Sequence, residues 1–197
     1  MLTVILLAAG LSRRMGVANK LLLPFGQSTL VGTTASNLLA AGLGEVLVVL
    51  GHEAEKVRAA LADLPVQFVE NPRFMEGMTA SIQAGVAAAY PDSEGYMICP
   101  GDMPFVSAAE FRRIGDFFAA SFRANPQAIV QPVFEGQRGN PVVFSQVYRQ
   151  QILENAHPDG CRPVLQRNME NVRFVETPTD GILRDLDTPE DWQAAQP

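Results

Sequence analysis

A three-layer α/β fold, with a mostly parallel sheet covered by helices on both faces, is predicted by three features of this chain. Short apolar runs alternate with helix-length segments from the start to about Glu135. The runs are apolar throughout, as strands buried on both faces require, whereas a half-exposed strand would alternate. The length of 197 residues suits a single domain over 1–197 and is enough to bury a full core.

Each element follows from local pattern. Residues 3–7 (TVILL) read as a first buried strand, 45–50 (EVLVVL) as a second, 66–70 as a third and 96–99 (YMIC) as a fourth. Between them, 29–41 reads as a helix ending near Gly42, 53–61 as a second helix, and Ala-rich 78–90 as a third with Gly85 as its weak spot. Ser107 and Glu110 form a capping-box pattern that opens a helix running to about Ser121. Strands are expected at 128–134 and 142–144; beyond about Glu135 the alternation loses regularity. Thr188-Pro189-Glu190-Asp191 reads as the capped start of a final helix.

Composition excludes several classes of function. The net charge is −6 and no Lys/Arg run occurs, so the basic face that a nucleic-acid partner demands is missing. Cys99 and Cys161 make neither a zinc pattern nor a disulfide framework, and a reducing cytoplasm is expected. The apolar start lacks the positive region of a signal peptide, and no apolar run approaches the ~20 residues of a membrane span.

Ligands of such folds lie beyond the carboxyl ends of the strands. The first strand runs into Ala8-Ala-Gly-Leu-Ser-Arg-Arg-Met-Gly-Val-Ala-Asn-Lys20. Small residues let a ligand approach the backbone, and Gly10 and Gly16 permit tight turns with positive φ. Arg13, Arg14 and Lys20 place three cations in one loop with no acid between them, a composition suited to a polyphosphate, although a solvated basic loop would look the same. The glycine spacing matches neither a P-loop nor a dinucleotide fingerprint. After the fourth strand, Pro100-Gly-Asp-Met-Pro104 puts Asp102 in a turn at a strand end, where one carboxylate could hold Mg²⁺ or merely satisfy the turn. Gly77 and Ser81 join the third strand to a helix, and Gly139, Asn140 and Pro141 form a turn before a later strand. Neither His52 nor His157 suggests catalysis, Cys99 reads as an inert core thiol, and no triad is visible.

The ordered string Leu7-Ala-Ala-Gly-x-Ser-Arg-Arg-Met-Gly16, followed by Asn19-Lys20-Leu-Leu-Leu-Pro24, resembles the signature loop of nucleotidyltransferases that activate sugar phosphates, isoprenoid precursors and molybdopterin. The Leu-Leu-Leu-Pro continuation is most like the molybdenum cofactor cytidylyltransferase-like branch of the MobA-like family. Gly-Asp-Met-Pro, the 131–144 segment and Arg184-Asp-Leu-Asp-Thr-Pro-Glu-Asp-Trp192 resemble further family motifs. The resemblance implies a Rossmann-like nucleotidyltransferase fold of the nucleotide-diphospho-sugar transferase type. It implies that Ala8, Ala9, Gly10, Ser12, Arg13, Arg14 and Lys20 wrap a triphosphate, with Gly77 and Ser81 reading base and ribose. Catalysis would fall to Arg14, Lys20 and Asp102. Mg²⁺ would sit on Asp102 and Asp187, with Asp185 the competing choice for the second ligand. Gly139 and Asn140 would face the acceptor, though turn chemistry explains Asn140 equally well.

The substrates so implied are CTP and molybdopterin, giving a cytosine dinucleotide cofactor and pyrophosphate, with a molybdenum hydroxylase as recipient. Guanylyl transfer to molybdopterin, activation of a sugar phosphate, and a non-catalytic accessory protein that carries the cofactor remain as alternatives. Guanylyl-transferring relatives carry Gly where this chain has Ala9, so the extra methyl is expected to favour a pyrimidine.

Overall fold

The structure, a computed structural model, describes residues 1–11, 19–158, 160–184, 186 and 192. In chain order its strands are β1 (Leu2–Ala8), β2 (Pro24–Phe25), β3 (Ser28–Thr29), β4 (Gly44–Leu50), β5 (Gln67–Glu70), β6 (Gly95–Pro100), β7 (Ile129–Phe134), β8 (Gln137–Arg138), β9 (Val142–Ser145) and β10 (Val172–Glu176). The α-helices are α1 (Leu30–Ala41), α2 (Ala54–Ala60), α3 (Met78–Ala88), α4 (Ala108–Ala124), α5 (Arg149–Leu153) and α6 (Arg162–Arg167).

Among the described residues, one sheet runs in the order β10-β7-β9-β6-β1-β4-β5, with β8 paired to β7. β1 is parallel to both β4 and β6, β4 to β5, and β10 to β7. β9 is antiparallel to both β6 and β7, so β7 and β10 point the same way as β6. Thus β8 and β9 alone run against the other strands of this sheet. The three-layer α/β architecture holds, and the sheet is mixed at its later half, where the regular alternation of the sequence fades.

Side-chain parity in the strands separates the two helical layers. Leu2, Val4, Leu6 and Ala8 of β1, Val46, Val48 and Leu50 of β4, and Met97 and Cys99 of β6 join one buried cluster, which includes Val31, Ala35 and Leu38 of α1, Val57 of α2, and Phe111, Ile114 and Phe118 of α4. Ile5, Val49, Tyr96 and Ile98 face the other cluster, with Ile82 and Val86 of α3, Ile152 of α5 and Val164 of α6. Both faces of β1, β4 and β6 are therefore dry, which explains their unbroken apolar runs.

Helix ends follow local chemistry. Thr29 caps α1 through its side chain, and Gly42 ends it in the left-handed conformation at φ 67°. The Ser107–Glu110 capping box is formed, and α4 runs past the expected end to Ala124. α3 stops at Ala88, short of the expected Tyr90. Gly85 is a close-packing point, because a Cβ there would lie 2.4 Å from Ile5 Cγ2 and 3.1 Å from Val49 Cγ2. The β2–β3 hairpin, β10, α5 and α6 were not anticipated from the sequence; each is short, and their pairing partners are distant in the chain or their helical pattern spans barely a turn. The final helix expected at 188–191 falls outside the described residues. Among the described residues, no helix is long and apolar enough to cross a membrane.

Candidate functional site

The carboxyl ends of β1, β4, β5, β6, β7 and β10 share one edge of the sheet, as does the amino end of antiparallel β9. Every loop singled out in the sequence leaves the sheet at this edge. The described ends of the first loop are Ala8, Ala9 and Gly10 on one side and Lys20 on the other, while Ser12, Arg13, Arg14 and Gly16 lie outside the described residues. Asp185 and Asp187 also lie outside them.

Lys20 opens a short 3₁₀ turn, Lys20–Leu22, capped by Asn19, whose side-chain oxygen accepts from Leu21 N at 3.1 Å. Leu21 is buried in the core and pins this turn beneath β1. On the neighbouring strand, β6 ends at Pro100 and the chain passes through Gly101 to Asp102. A Cβ at Gly101 would stand 2.7 Å from the Leu7 carbonyl oxygen and 3.1 Å from Leu21 Cδ2. A side chain would push this turn off β1, so glycine is what lets Asp102 reach the Lys20 turn. The outcome is an ion pair with Lys20 Nζ 2.5 Å from Asp102 Oδ2, the two side chains 18% and 10% exposed. Two residues chosen independently from separate motifs are thus brought together.

Among the described residues, no three His, Cys, Asp or Glu side chains gather as a metal cluster. Asp102, 7% exposed at a strand end, is the carboxylate available. One or two carboxylates, completed by substrate phosphates and water, suffice for Mg²⁺, so the donor chemistry fits. Burial pushes the neighbouring Cys99 thiol well above its ordinary range, and the Asp102 charge adds to the shift, so Cys99 stays protonated.

The glycine and alanine positions need finer description. Gly10 does not use the positive φ that glycine permits; a Cβ there would meet nothing within 4 Å, so the space beside this exposed strand end is open. Ala9 is 2% exposed. Its methyl turns inward: a Cβ on Gly51 would lie 2.7 Å from Ala9 Cβ and 2.6 Å from Phe74 Cβ. His52 N donates to the Ala9 carbonyl at 3.3 Å, so this strand end is braced from the β4 side. Phe74 and Gly51, next to Ala9, were missed by the sequence reading; the glycine directly following β4 was the available signal.

At the β5–α3 junction Gly77 has φ 108°, a conformation that favours glycine. Ser81 is buried, and its hydroxyl accepts from Asn71 Nδ2 at 3.1 Å. Asn71 Oδ1 in turn accepts from Arg73 N at 3.0 Å, so this hydroxyl helps hold the junction. The same junction is tied to the loop before α6, where Gly160 N donates to Thr79 Oγ1 at 3.0 Å.

Gly139 is buried, and a Cβ there would lie 2.3 Å from the Ile182 carbonyl oxygen. Asn140 N donates to that same oxygen at 3.1 Å. The geometry of both backbones is therefore accounted for by packing on residues 180–183, and Asn140 keeps its half-exposed side chain at the sheet edge. That closing segment is itself clamped. Gly181 abuts the Phe105 carbonyl, where a Cβ would be 2.6 Å away, and the Arg184 guanidinium lies 3.6 Å from the Phe105 ring centroid. Phe105 packs edge-on against Phe25 at 5.4 Å, linking the loop after Asp102 to the hairpin after Lys20. Trp192 Nε1 donates to the Pro24 carbonyl at 3.0 Å, so the end of the chain returns to the same hairpin.

Comparison with known proteins agrees with this geometry. The family described as the MobA-like NTP transferase domain matches residues 4–172. Nicotine blue oxidoreductase of Paenarthrobacter nicotinovorans is 29% identical over 197 residues, covering 95% of this chain and 93% of that protein. The bifunctional protein GlmU of Halorhodospira halophila is 37% identical over 105 residues, which span 53% of this chain but 22% of GlmU. Among solved structures, Rv0371c of Mycobacterium tuberculosis H37Rv superposes with a TM-score of 0.84 at 28% identity, covering 98% of this chain and 96% of that one. Rv0371c has also been solved in complex with manganese, and that form superposes with a TM-score of 0.78 at 27% identity, with the same coverage.

Proposed function

The chain belongs to the family of MobA-like NTP transferase domains, and we propose that it acts over 1–197 as one Mg²⁺-dependent molybdenum cofactor cytidylyltransferase. The observation that carries this reading is the meeting of Lys20 and Asp102 at the carboxyl ends of adjacent parallel strands. It brings a cation suited to a polyphosphate beside a carboxylate suited to a divalent metal. The manganese complex of Rv0371c supports divalent metal use in this fold.

In the proposed reaction a phosphate oxygen of the molybdopterin acceptor attacks the α-phosphorus of CTP. The bond to the bridging oxygen breaks, and pyrophosphate leaves with that electron pair. No protein nucleophile is needed, so the chain's work is alignment and charge stabilisation. Lys20 and Arg14 stabilise charge on the departing pyrophosphate, and Ala8, Ala9, Gly10, Ser12 and Arg13 shape the loop around the triphosphate. Asp102, with Asp187 or Asp185, would hold Mg²⁺, which supplies further neutralisation of phosphate charge when bound. Gly77 and Ser81 line the base and ribose side, with Ser81 held by the Asn71 side chain. The acceptor lies towards Gly139 and Asn140, and a molybdenum hydroxylase receives the product in the cytoplasm.

The testing experiment is pyrophosphate release with molybdopterin against each of the four nucleoside triphosphates. CTP is expected to give the highest kcat/KM; a larger value with GTP would replace cytidylyl by guanylyl transfer. No release with any nucleotide would remove the transferase reading. A second reading draws on nicotine blue oxidoreductase, similar along nearly the whole chain, and makes this scaffold an oxidoreductase. Redox turnover of nicotine blue with an added electron donor, in the absence of pyrophosphate release, would favour that reading instead.

A further inference from the structure

Among the described residues, the main sheet ends at β5 on one side and at β10 on the other. Successive residues of a strand turn their peptide groups to opposite edges. Thr177 N donates to the Val133 carbonyl at 2.9 Å, so Arg173, Val175 and Thr177 address β7, while Val172, Phe174 and Glu176 address the outside. Val172 N donates to the Met169 carbonyl, and the Val172 carbonyl accepts from Arg173 Nη1 at 3.0 Å. The Glu176 carbonyl accepts from Arg113 Nε at 2.7 Å. Among the described residues, Phe174 is thus the outward residue of β10 whose N–H and C=O both lack a partner. Its side chain is exposed, with the Arg138 guanidinium 4.8 Å from the ring centroid. A groove between β10 and α4 follows this edge, lined by Phe174 and by Phe117, which is also exposed. Arg112, Arg113, Asp116 and Glu176 line it too, two cations against two anions. In a chain of net charge −6, this patch is neutral.

We propose that this edge is an interface for a second copy of the chain, with Phe174 on the twofold axis. A hydrogen-bonded antiparallel pair needs one residue from each strand, the two exchanging both N–H···O=C bonds. Phe174 offers both groups and its outward neighbours do not, so the matching partner is an edge with the same single opening. A twofold axis perpendicular to the sheet sets Phe174 opposite its own copy, Arg173 opposite Val175, and Val172 opposite Glu176. The last pair would have to bond through the carbonyls that Arg113 and Arg173 cover, so the ladder stops after one residue pair. The arginines thereby fix the register, where an uncovered edge would slip or recruit unrelated strands. Charge points to the same partner. A groove matched to an acidic or a basic segment would carry one sign, whereas this one carries both and can set carboxylates against the arginines of a rotated copy. Phe174 and its copy lie side by side at the axis, and their burial supplies the apolar part of the contact. The same rotation reverses the strands, so the two carboxyl-end edges of the joined sheet point in opposite directions and neither is covered.

The experiment is sedimentation velocity over a concentration series, joined to cysteine cross-linking at the axis. The unmodified protein is expected to pass from monomer to dimer at about 10–100 μM, as suits a small contact. Phe174→Lys sets two ammonium groups face to face on the axis and is expected to raise the dissociation constant at least about tenfold. Phe174→Cys brings two thiols together across a hydrogen-bonded pair, whose Cα atoms stand about 5.5 Å apart, a separation that a disulfide spans. Mild oxidation is expected to turn this variant into a covalent dimer. Glu176→Cys, displaced along the strand, lies too far from its own copy to link under the same oxidation. The unmodified protein, with Cys99 and Cys161 as its thiols, gives the background. Cross-linking does not depend on the lysine variant, so the proposal stays open to failure even if Phe174→Lys does not fold. An unmodified chain that remains monomeric at about 100 μM overturns the proposal and leaves this edge to an extended segment of another protein. A dimer that Phe174→Lys does not weaken, that Phe174→Cys does not link, or that links as readily through Glu176→Cys overturns it as well and puts the interface elsewhere.

Discussion

Two buried carboxylates, Asp102 and Glu110, lie at opposite ends of the segment that leads from β6 into α4, and their surroundings differ in kind. Glu110 is 3% exposed and accepts from Ser107 N at 3.0 Å, Ser107 Oγ at 2.7 Å and Thr179 Oγ1 at 2.6 Å. All three donors are neutral, two come from the cap of its own helix, and the third ties the closing segment to α4. Asp102, 7% exposed, is met instead by the Lys20 ammonium from a different loop. A carboxylate saturated by short-range neutral donors is part of the scaffold. One that faces a long-stemmed cation at the edge where parallel strands end is available to ligands, because its partner can leave without unfolding anything. The difference teaches that burial of an acid does not by itself mark a site; the identity and mobility of its donors do.

The comparison breaks most visibly at Asp102. Asp102→Asn is expected to lower nucleotidyl transfer by at least about a hundredfold, the scale of losing several kcal/mol of charge stabilisation. The fold is expected to survive, because asparagine keeps the volume of the turn and the Lys20 stem can carry its ammonium towards water. Steady-state kinetics beside a denaturant melt decide it, and near-normal turnover would move the metal elsewhere. Glu110→Ala should do the opposite. Loss of the capping box and of the Thr179 tie is expected to cost about 2–3 kcal/mol of stability, with kcat retained at temperatures where the protein stays folded. A drop in kcat without a drop in melting temperature would erase the distinction between the two acids.

Smaller effects sharpen the comparison. Arg14→Ala and Lys20→Ala are each expected to weaken triphosphate handling by about 1.5–3 kcal/mol, seen as a raised nucleotide KM with acceptor KM little changed. Ala9→Gly should narrow a preference for CTP over GTP, by an amount within the ~1–3 kcal/mol that one methyl can supply. Ala9 and Phe74 both crowd Gly51, so the change is expected to act through this packing, and Phe74→Leu should alter the same ratio. If competition between the two nucleotides gives the same product ratio in both variants, base choice lies elsewhere. Last, burial raises the Cys161 thiol from 9.0 to about 12. The folded chain therefore keeps a proton that the unfolded chain releases, so stability is greatest below pH 9 and falls as pH rises from 9.0 towards about 12. Cys161→Ser should flatten that decline in a pH series of denaturant melts.

Much of this was legible because the physics is local. Unbroken apolar runs gave the buried parallel strands, Thr29 and Gly42 bracketed α1, and Ser107 with Glu110 announced the start of α4. Lys20 and Asp102 stood out from their chain neighbours alone. What escaped were elements defined by distant partners. Strand β10 exists because β7 receives it, α5 and α6 span little more than a turn each, and β9 runs against its neighbours because the chain turns back after β7 and inserts between β7 and β6. At Gly10 the conformational freedom of glycine goes unused, and a side chain there would meet only open space.

By itself, then, the sequence determined the layered α/β class, the strand-end loops that carry charge, and the membership implied by the ordered motif around Lys20. Local propensity, binary patterning and short motifs act over a few residues and can be read from them. Tertiary structure alone decided that Gly101 brings Asp102 against Lys20, that Gly139 and Asn140 serve the packing of Ile182, that Ser81 is held by Asn71, and that Ala9 and Phe74 both crowd Gly51. Those facts depend on where chain segments far apart in sequence are pressed together, and close approach between backbones is a property of the packed sheet that no single segment encodes.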